Sequence, residues 1–352
     1  MAYTTIDDPS AHFQTALWTG NNTNNRAITN DGNSDLQPDF IWLKDRNVGF
    51  GHRLTDSTRG ITKNLASETT GAEGTVTTQY ASWNTDGFTL IYGGQQVPNY
   101  NGHTYVAWQW KANGGTTASN TTGDINTTTQ VNSDAGFSIV TYTGNGGTNQ
   151  TVGHGLGVAP QVIIVKNREV TTNWIVYHHK IGTSKYLNLD TTGAAADSSN
   201  IWGSSAPSST TFTVQQHNEY NDSGEGIVAY CFAEKQGYSK FGKYVGNVSE
   251  DGPFVYTGFK PAFLMMKEAS SAGGNWVNFD NKRDVANVLT HRLHPNTTAG
   301  DNTSRNYIDF YSNGFKMRNT DLDHNQSGET MIYMAFAEQP FVTSTGIPAT
   351  AR

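Results

Sequence analysis

The sequence predicts an all-β protein built as three tandem β-sandwich domains of about 100 residues each, with a jelly-roll variant left open by the pattern. Three observations lead there. First, the 352 residues include 37 glycines and are rich in Thr, Asn and aromatics (16 Phe, 16 Tyr, 8 Trp), a composition that suits strands joined by turns requiring positive φ. Second, long Leu/Ala/Glu/Lys stretches are absent, so helix should be scarce. Third, one pattern occurs three times in register, and internal repeats decide the fold before any local reading does.

The repeat opens with an aromatic residue followed by x-Gly-Asn: Trp18 to Asn21, Tyr142 to Asn145 and Tyr244 to Asn247. A proline then leads an apolar run that ends in lysine: PDFIWLK from Pro38, PQVIIVK from Pro160 and PAFLMMK from Pro261. Continuous apolar runs of this kind suit strands covered on both faces, and proline is tolerated at the first strand position. A late strand holds Phe88, Phe212 or Phe315, and a last one ends at Trp110, Phe232 or Phe336. The proline-to-Phe spacings are 50, 52 and 54 residues, and the Phe-to-last-aromatic spacings are 22, 20 and 21. Each last aromatic follows a turn glycine (Gly102, Gly224, Gly328) by eight residues. The period exceeds the roughly 20–50 residues of a solenoid unit and matches a small domain.

These markers predict domains at 8–114, 136–236 and 238–341, each with a core of its own. Residues 115–135, rich in Thr, Asn and Gly, read as a flexible or surface-draped linker whose deletion leaves the domains folded. Only KQGYS separates the second and third domains, and 342–352 reads as an extended tail. WIVYH from Trp174 and WVNFD from Trp276 alternate as half-exposed strands do, and Leu187 and Leu189 face inward. Trp42, Trp83, Trp174 and Trp276 lie on the strand pattern and read as core. Trp202, in a Ser-rich loop, is the one read as exposed.

No chemistry stands out. Charged residues make up 15% of the chain and the net charge is −7 with no Lys/Arg run, against a nucleic-acid groove. His291 and His294 have no acid beside them in the HExxH sense, and His178 and His179 point to opposite strand faces. Asp321 to Glu329 resembles a calcium loop, but its glycine stands at position 8 and Ile332 at position 12, so it reads as a turn. The single cysteine, Cys231, lies in a strand interior and can form no intrachain disulfide. The glycine-rich stretch 143–157 lacks the Lys-Ser/Thr of a phosphate loop. No residue is singled out as catalytic, cofactor-binding or metal-ligating, and no cofactor is expected. The start MAYTTIDDPS carries no secretory pattern, and no run approaches the roughly 20 apolar residues of a membrane span.

YTGNGGTNQTVGHGLGVAPQVIIVK, residues 142–166, resembles a pattern common in virion proteins of tailed phages, notably marine podovirus-like ones. There a His-Gly-Leu-Gly turn precedes a proline-led strand in small β-domains of tail fibres and surface appendages. The second repeat carries the likeness best; the other two keep the skeleton without HGLG. The resemblance implies a non-enzymatic structural or attachment protein of the virion exterior (tail fibre, tail adaptor or capsid decoration), assembled in a host cytoplasm. It implies contacts with other virion proteins, a homo-oligomer and a role at a host-surface glycan. The alternatives are a carbohydrate-binding array, using loop aromatics such as Trp202, Tyr220 and Tyr100, and a glycan depolymerase with converging carboxylates.

Overall fold

A computed structural model describes residues 2–94, 98–198, 201–203 and 205–350. The chain is nearly all β. Its strands form several antiparallel sheets, and the described helices are a 3-10 turn at Pro9–Ala11 and one α-turn at Leu322–Asn325. Each sequence repeat supplies four strands in the same order. An opening strand pairs with the closing strand, which pairs with the proline-led strand, which pairs with the strand after it. In the first repeat these are Phe13–Thr19, Thr104–Trp110, Phe40–Asp45 and Arg53–Asp56. In the second they are Phe137–Thr143, Gly226–Phe232, Val162–Asn167 and Ile175–His178. In the third they are Ser239–Val245, Thr330–Pro340, Phe259–Glu268 and Val277–Asp280. The registers coincide. Trp110, Phe232 and Phe336 each pair with the residue two places after the proline, namely Phe40, Val162 and Phe263.

The apolar runs are continuous because both faces of each sheet are covered. One face packs on a smaller sheet: Ile41 and Leu43 share a cluster with Phe88 and Leu90, and Ile163 and Val165 with Phe212 and Val214. The other faces meet. Phe40, Trp42, Ile164, Tyr230, Phe263 and Met334 belong to one core to which all three repeats contribute. At its centre the three closing aromatics touch one another, with ring centroids 5.6 Å (Trp110–Phe336), 5.9 Å (Phe232–Phe336) and 6.4 Å (Trp110–Phe232) apart. The expectation of one separate core per repeat is therefore corrected. A sheet with two apolar faces must bury both, and the small sheet covers only one.

The expected linker is also not a free tether. Residues 112–115 wrap the buried carboxylate of Asp39, which accepts from the backbone N–H of Ala112, Gly114 and Gly115 at 2.7–2.8 Å. Ala118–Asn120 and Thr127–Asn132 then form a hairpin that pairs with Phe137–Thr143. Its few apolar groups suffice: Ile125 is buried and bridges to Val152. The HGLG turn explains itself here. Gly155 has φ +74°, and a Cβ there would press on Val131 of the hairpin at 2.7 Å. Among the described residues no such hairpin pairs with the opening strand of the first or third repeat, and neither repeat contains HGLG.

Candidate functional site

The residues singled out as possible sugar platforms are not one surface. Trp202 is 1% exposed and Tyr220 0%; their rings lie 6.3 Å apart, with Tyr177 at 5.5 Å from Trp202. The loop composition around Trp202 suggested exposure, but burial against Tyr177 and Tyr220 overrides it. (Ser199, Asn200 and Ser204 of that loop lie outside the described residues.) Tyr100 is half-buried against His103. Cys231 is fully buried, and burial pushes its thiol pKa well up, so it is a small core hydrophobe.

The acids of the calcium-like loop are engaged by the protein itself. Asp321 caps the α-turn through the N–H of Asp323 and pairs with Arg292 at 2.9 Å. Asp323 accepts from the N–H of Asn275 and lies 3.5 Å from His294; hydrogen bonds from His294 and Asn275, opposing its desolvation, hold its pKa at about 2. Among the described residues no group of three or more His, Cys, Asp or Glu is placed to hold a metal ion.

A cleft of about 380 Å³ lies between the first and third repeats and is lined by Asp7, Asp8, Asp31, Lys282 and Glu338. Its carboxylates have partners: Asp31 with Lys282 at 2.7 Å, Glu338 with Lys260 at 2.8 Å, and Asp8 with Ser10 and Ser34 at 2.6 Å. Hydrogen bonds from Ser344 lower the pKa of Asp7, the opposite of what a proton donor in glycoside cleavage requires.

The polar residues that recur in equivalent places are found inside the junctions between repeats, where they form closed cycles. Trp174 Nε1 donates to Ala66 O (2.8 Å), Trp276 Nε1 to Asn188 O (2.9 Å), and His52 Nε2 to His294 O (3.0 Å). Each links one repeat to the next, and the third returns to the first. The backbone repeats the cycle: Glu73 N–H donates to Arg168 O, Ala195 to Ala269 O and Asp301 to Arg46 O, all at 2.8 Å. A third cycle is buried deeper. Tyr230 Oη donates to Asp56 (2.7 Å), His178 Nε2 to Tyr333 O (3.1 Å), and Trp108 Nε1 to Asp280 (3.0 Å). Asp56 and Asp280 also hold the fully buried guanidiniums of Arg59 (2.5 Å) and Arg283 (2.6 Å). The contacts thus describe a ring with pseudo-threefold symmetry inside one chain.

Two of the three lysines that end the proline-led strands also reach across a junction, whereas Lys44 bonds Asp45 O and Val48 O within the first repeat. Lys44, Lys166 and Lys267 are buried, and their ammonium groups donate to backbone carbonyls. Lys166 reaches Thr70 O of the first repeat at 3.0 Å, and Lys267 reaches Thr192 O of the second at 3.4 Å. Desolvation lowers each to about 8. Burial likewise pushes His52 and His178 down to about 3, so both are neutral, with Nε2–H donating and Nδ1 accepting. Sequence reasoning missed these junctions because each polar partner lies in another repeat. The one available signal was a charged residue closing an apolar run at three equivalent places.

A family model described as a domain of unknown function (DUF7483) matches residues 8–340. No curated protein and no solved structure matches the chain.

Proposed function

The chain belongs to this DUF7483 family, and from that premise we propose that it is a non-enzymatic structural protein of a tailed-phage particle. It stands on the exterior as a tail fibre, tail adaptor or capsid decoration, and its partners are other virion proteins and further copies of itself. Its plan is three tandem β-sandwich units of about 100 residues. The observation that carries the reading is where the repeated polar groups go. Asp56, His178 and Asp280, like His52, Trp174 and Trp276, are used to join repeats rather than to face a substrate. A ring held this way is a rigid building block. The likeness of residues 142–166 to virion appendage domains supports the same conclusion.

The test is to raise antibodies to the purified chain and apply them to particles of the phage that encodes it. Gold label on the particle exterior, with the chain's peptides among the virion proteins, is the expected result. Absence of the chain from purified particles overturns the reading.

A further inference from the structure

We propose that the outer face of the small sheet in the third repeat binds an oligosaccharide that carries a carboxylate. This deepens the attachment side of the function proposed above. Its test needs no particle, so the two can fail separately.

The sheet pairs Phe254–Tyr256, Gly314–Met317 and Ile308–Tyr311. Val255 points inward; Phe254 and Tyr256 flank it on the outward side, 48% and 53% exposed. The inward residue corresponds to Ile28 and Val152 in the other repeats, because each pairs with the late-strand phenylalanine. The flanking residues there are Ala27 and Thr29, and Thr151 and Gly153, none of them aromatic, and in the second repeat Asn120 of the hairpin covers Gly153. Architecture therefore does not call for these aromatics, and exposed rings in one repeat of three mark a contact surface.

The rings are held in place. Phe254 packs edge-on against Tyr311 at 5.9 Å. Tyr256 packs against Phe341 at 6.5 Å, Phe341 against Tyr3 at 6.4 Å, and Tyr3 Oη donates to Gly258 O at 2.7 Å. Gly314 lies across from both Tyr256 and Tyr311, and the Phe254 ring leans over it, since a Cβ there would meet Phe254 Cζ at 3.0 Å. Tyrosine and phenylalanine faces offer flat apolar area at low entropic cost, as the C–H face of a pyranose requires.

The same face continues into charge. Phe254, Lys316 and Asp309 form one cross-strand row, and Arg318 lies 3.4 Å from Asp309. Arg318 also lines a cleft of about 440 Å³ with Arg305, Asn306, Asn319, Thr320 and Glu250. Arg305 is exposed and forms no ion pair with the described residues. The guanidiniums of Arg305 and Arg318 and the carboxamide of Asn306 suit a sugar ring bearing a carboxylate, since the guanidinium fork takes a carboxylate bidentately; Asn319 is buried and bonded within the protein, and Lys316 is paired with Asp251.

The purified full chain is titrated with three probes: a hexamer of galacturonic acid, sialyllactose and cellohexaose. Saturable binding of at least one acidic probe is expected, roughly tenfold tighter than cellohexaose. Phe254→Ala and Tyr256→Ala should each weaken it roughly tenfold with unchanged melting, as truncation of exposed anchors does. Arg305→Gln with Arg318→Gln should remove the preference for acid while leaving the weak neutral binding. Binding of none of the probes, or binding indifferent to Tyr256→Ala, overturns the proposal. So does self-association by light scattering that Phe254→Ala abolishes, because the face would then be an interface between copies of this chain.

Discussion

Replacing Asp280 by Ala tests the junction chemistry where it is most concentrated. The carboxylate accepts from Arg283 Nε (2.6 Å), Trp108 Nε1 (3.0 Å), and the backbone N–H of Arg283 (2.8 Å) and Lys282 (3.1 Å). Both ionic side chains are fully buried. Removing one member of a buried pair leaves the other charge without compensation and costs about 3–5 kcal/mol. Arg283 keeps Asp301 at 2.7 Å and the carbonyl of Asn278 at 3.0 Å, so the loss should lie nearer ~3 kcal/mol. That is a large part of a total stability of roughly 5–15 kcal/mol. The assay is urea unfolding followed by tryptophan fluorescence. Lys282→Ala is the control, because its pair with Asp31 is solvent-exposed and should contribute about 0–1 kcal/mol. A double-mutant cycle with Trp108→Phe should show coupling of about 0.5–3 kcal/mol between the third and first repeats. A loss below about 1 kcal/mol for Asp280→Ala, or no coupling, would refute the reasoning.

Three further outcomes follow. His52 and His178, lowered to about 3, and His324, lowered to about 4, stay neutral in the fold while the unfolded chain takes up protons below its ordinary histidine value of 6.5. Stability is therefore full above pH 6.5 and falls as pH drops towards 4, by up to about 1.4 kcal/mol per pH unit for each histidine; a flat urea midpoint from pH 6.5 to 4.5 contradicts this. Deleting residues 118–132 uncovers the edge of Phe137–Thr143 and should lower the melting temperature and raise the mass seen by light scattering; unchanged melting and mass would restore the linker reading. Trp202→Ala should cost about 3–5 kcal/mol as a core truncation; unchanged melting would return Trp202 to the surface.

The strand plan was legible because it depends on local spacing. The interval from Pro160 to Phe212 reappears, within two residues, in the other repeats because each copy pairs the same strands in the same order. Phe232 and its equivalents read correctly as core for the same reason. What lay beyond reach was the ring. His52 bonds a carbonyl 242 residues away and Asp280 a tryptophan 172 residues away, and no local pattern encodes such a partner. The equivalent positions even change residue type, from His52 to Trp174 and Trp276, keeping only a ring N–H donor. The 115–135 segment misled for a related reason: Thr and Asn look like tether, yet Thr127 and Asn132 face strand partners. The outer aromatics of the third repeat were visible in the sequence, but only the pairing of Val255 with Phe315 shows that they point outward.

The most direct test is differential scanning calorimetry of the intact chain. The three closing aromatics share one core and the junction cycles close on themselves, so the repeats should melt as one unit, with calorimetric and van't Hoff enthalpies equal. Two or three separate transitions, each with the enthalpy of about 100 residues, would show that the repeats are independent beads and that the ring is not what holds the protein together.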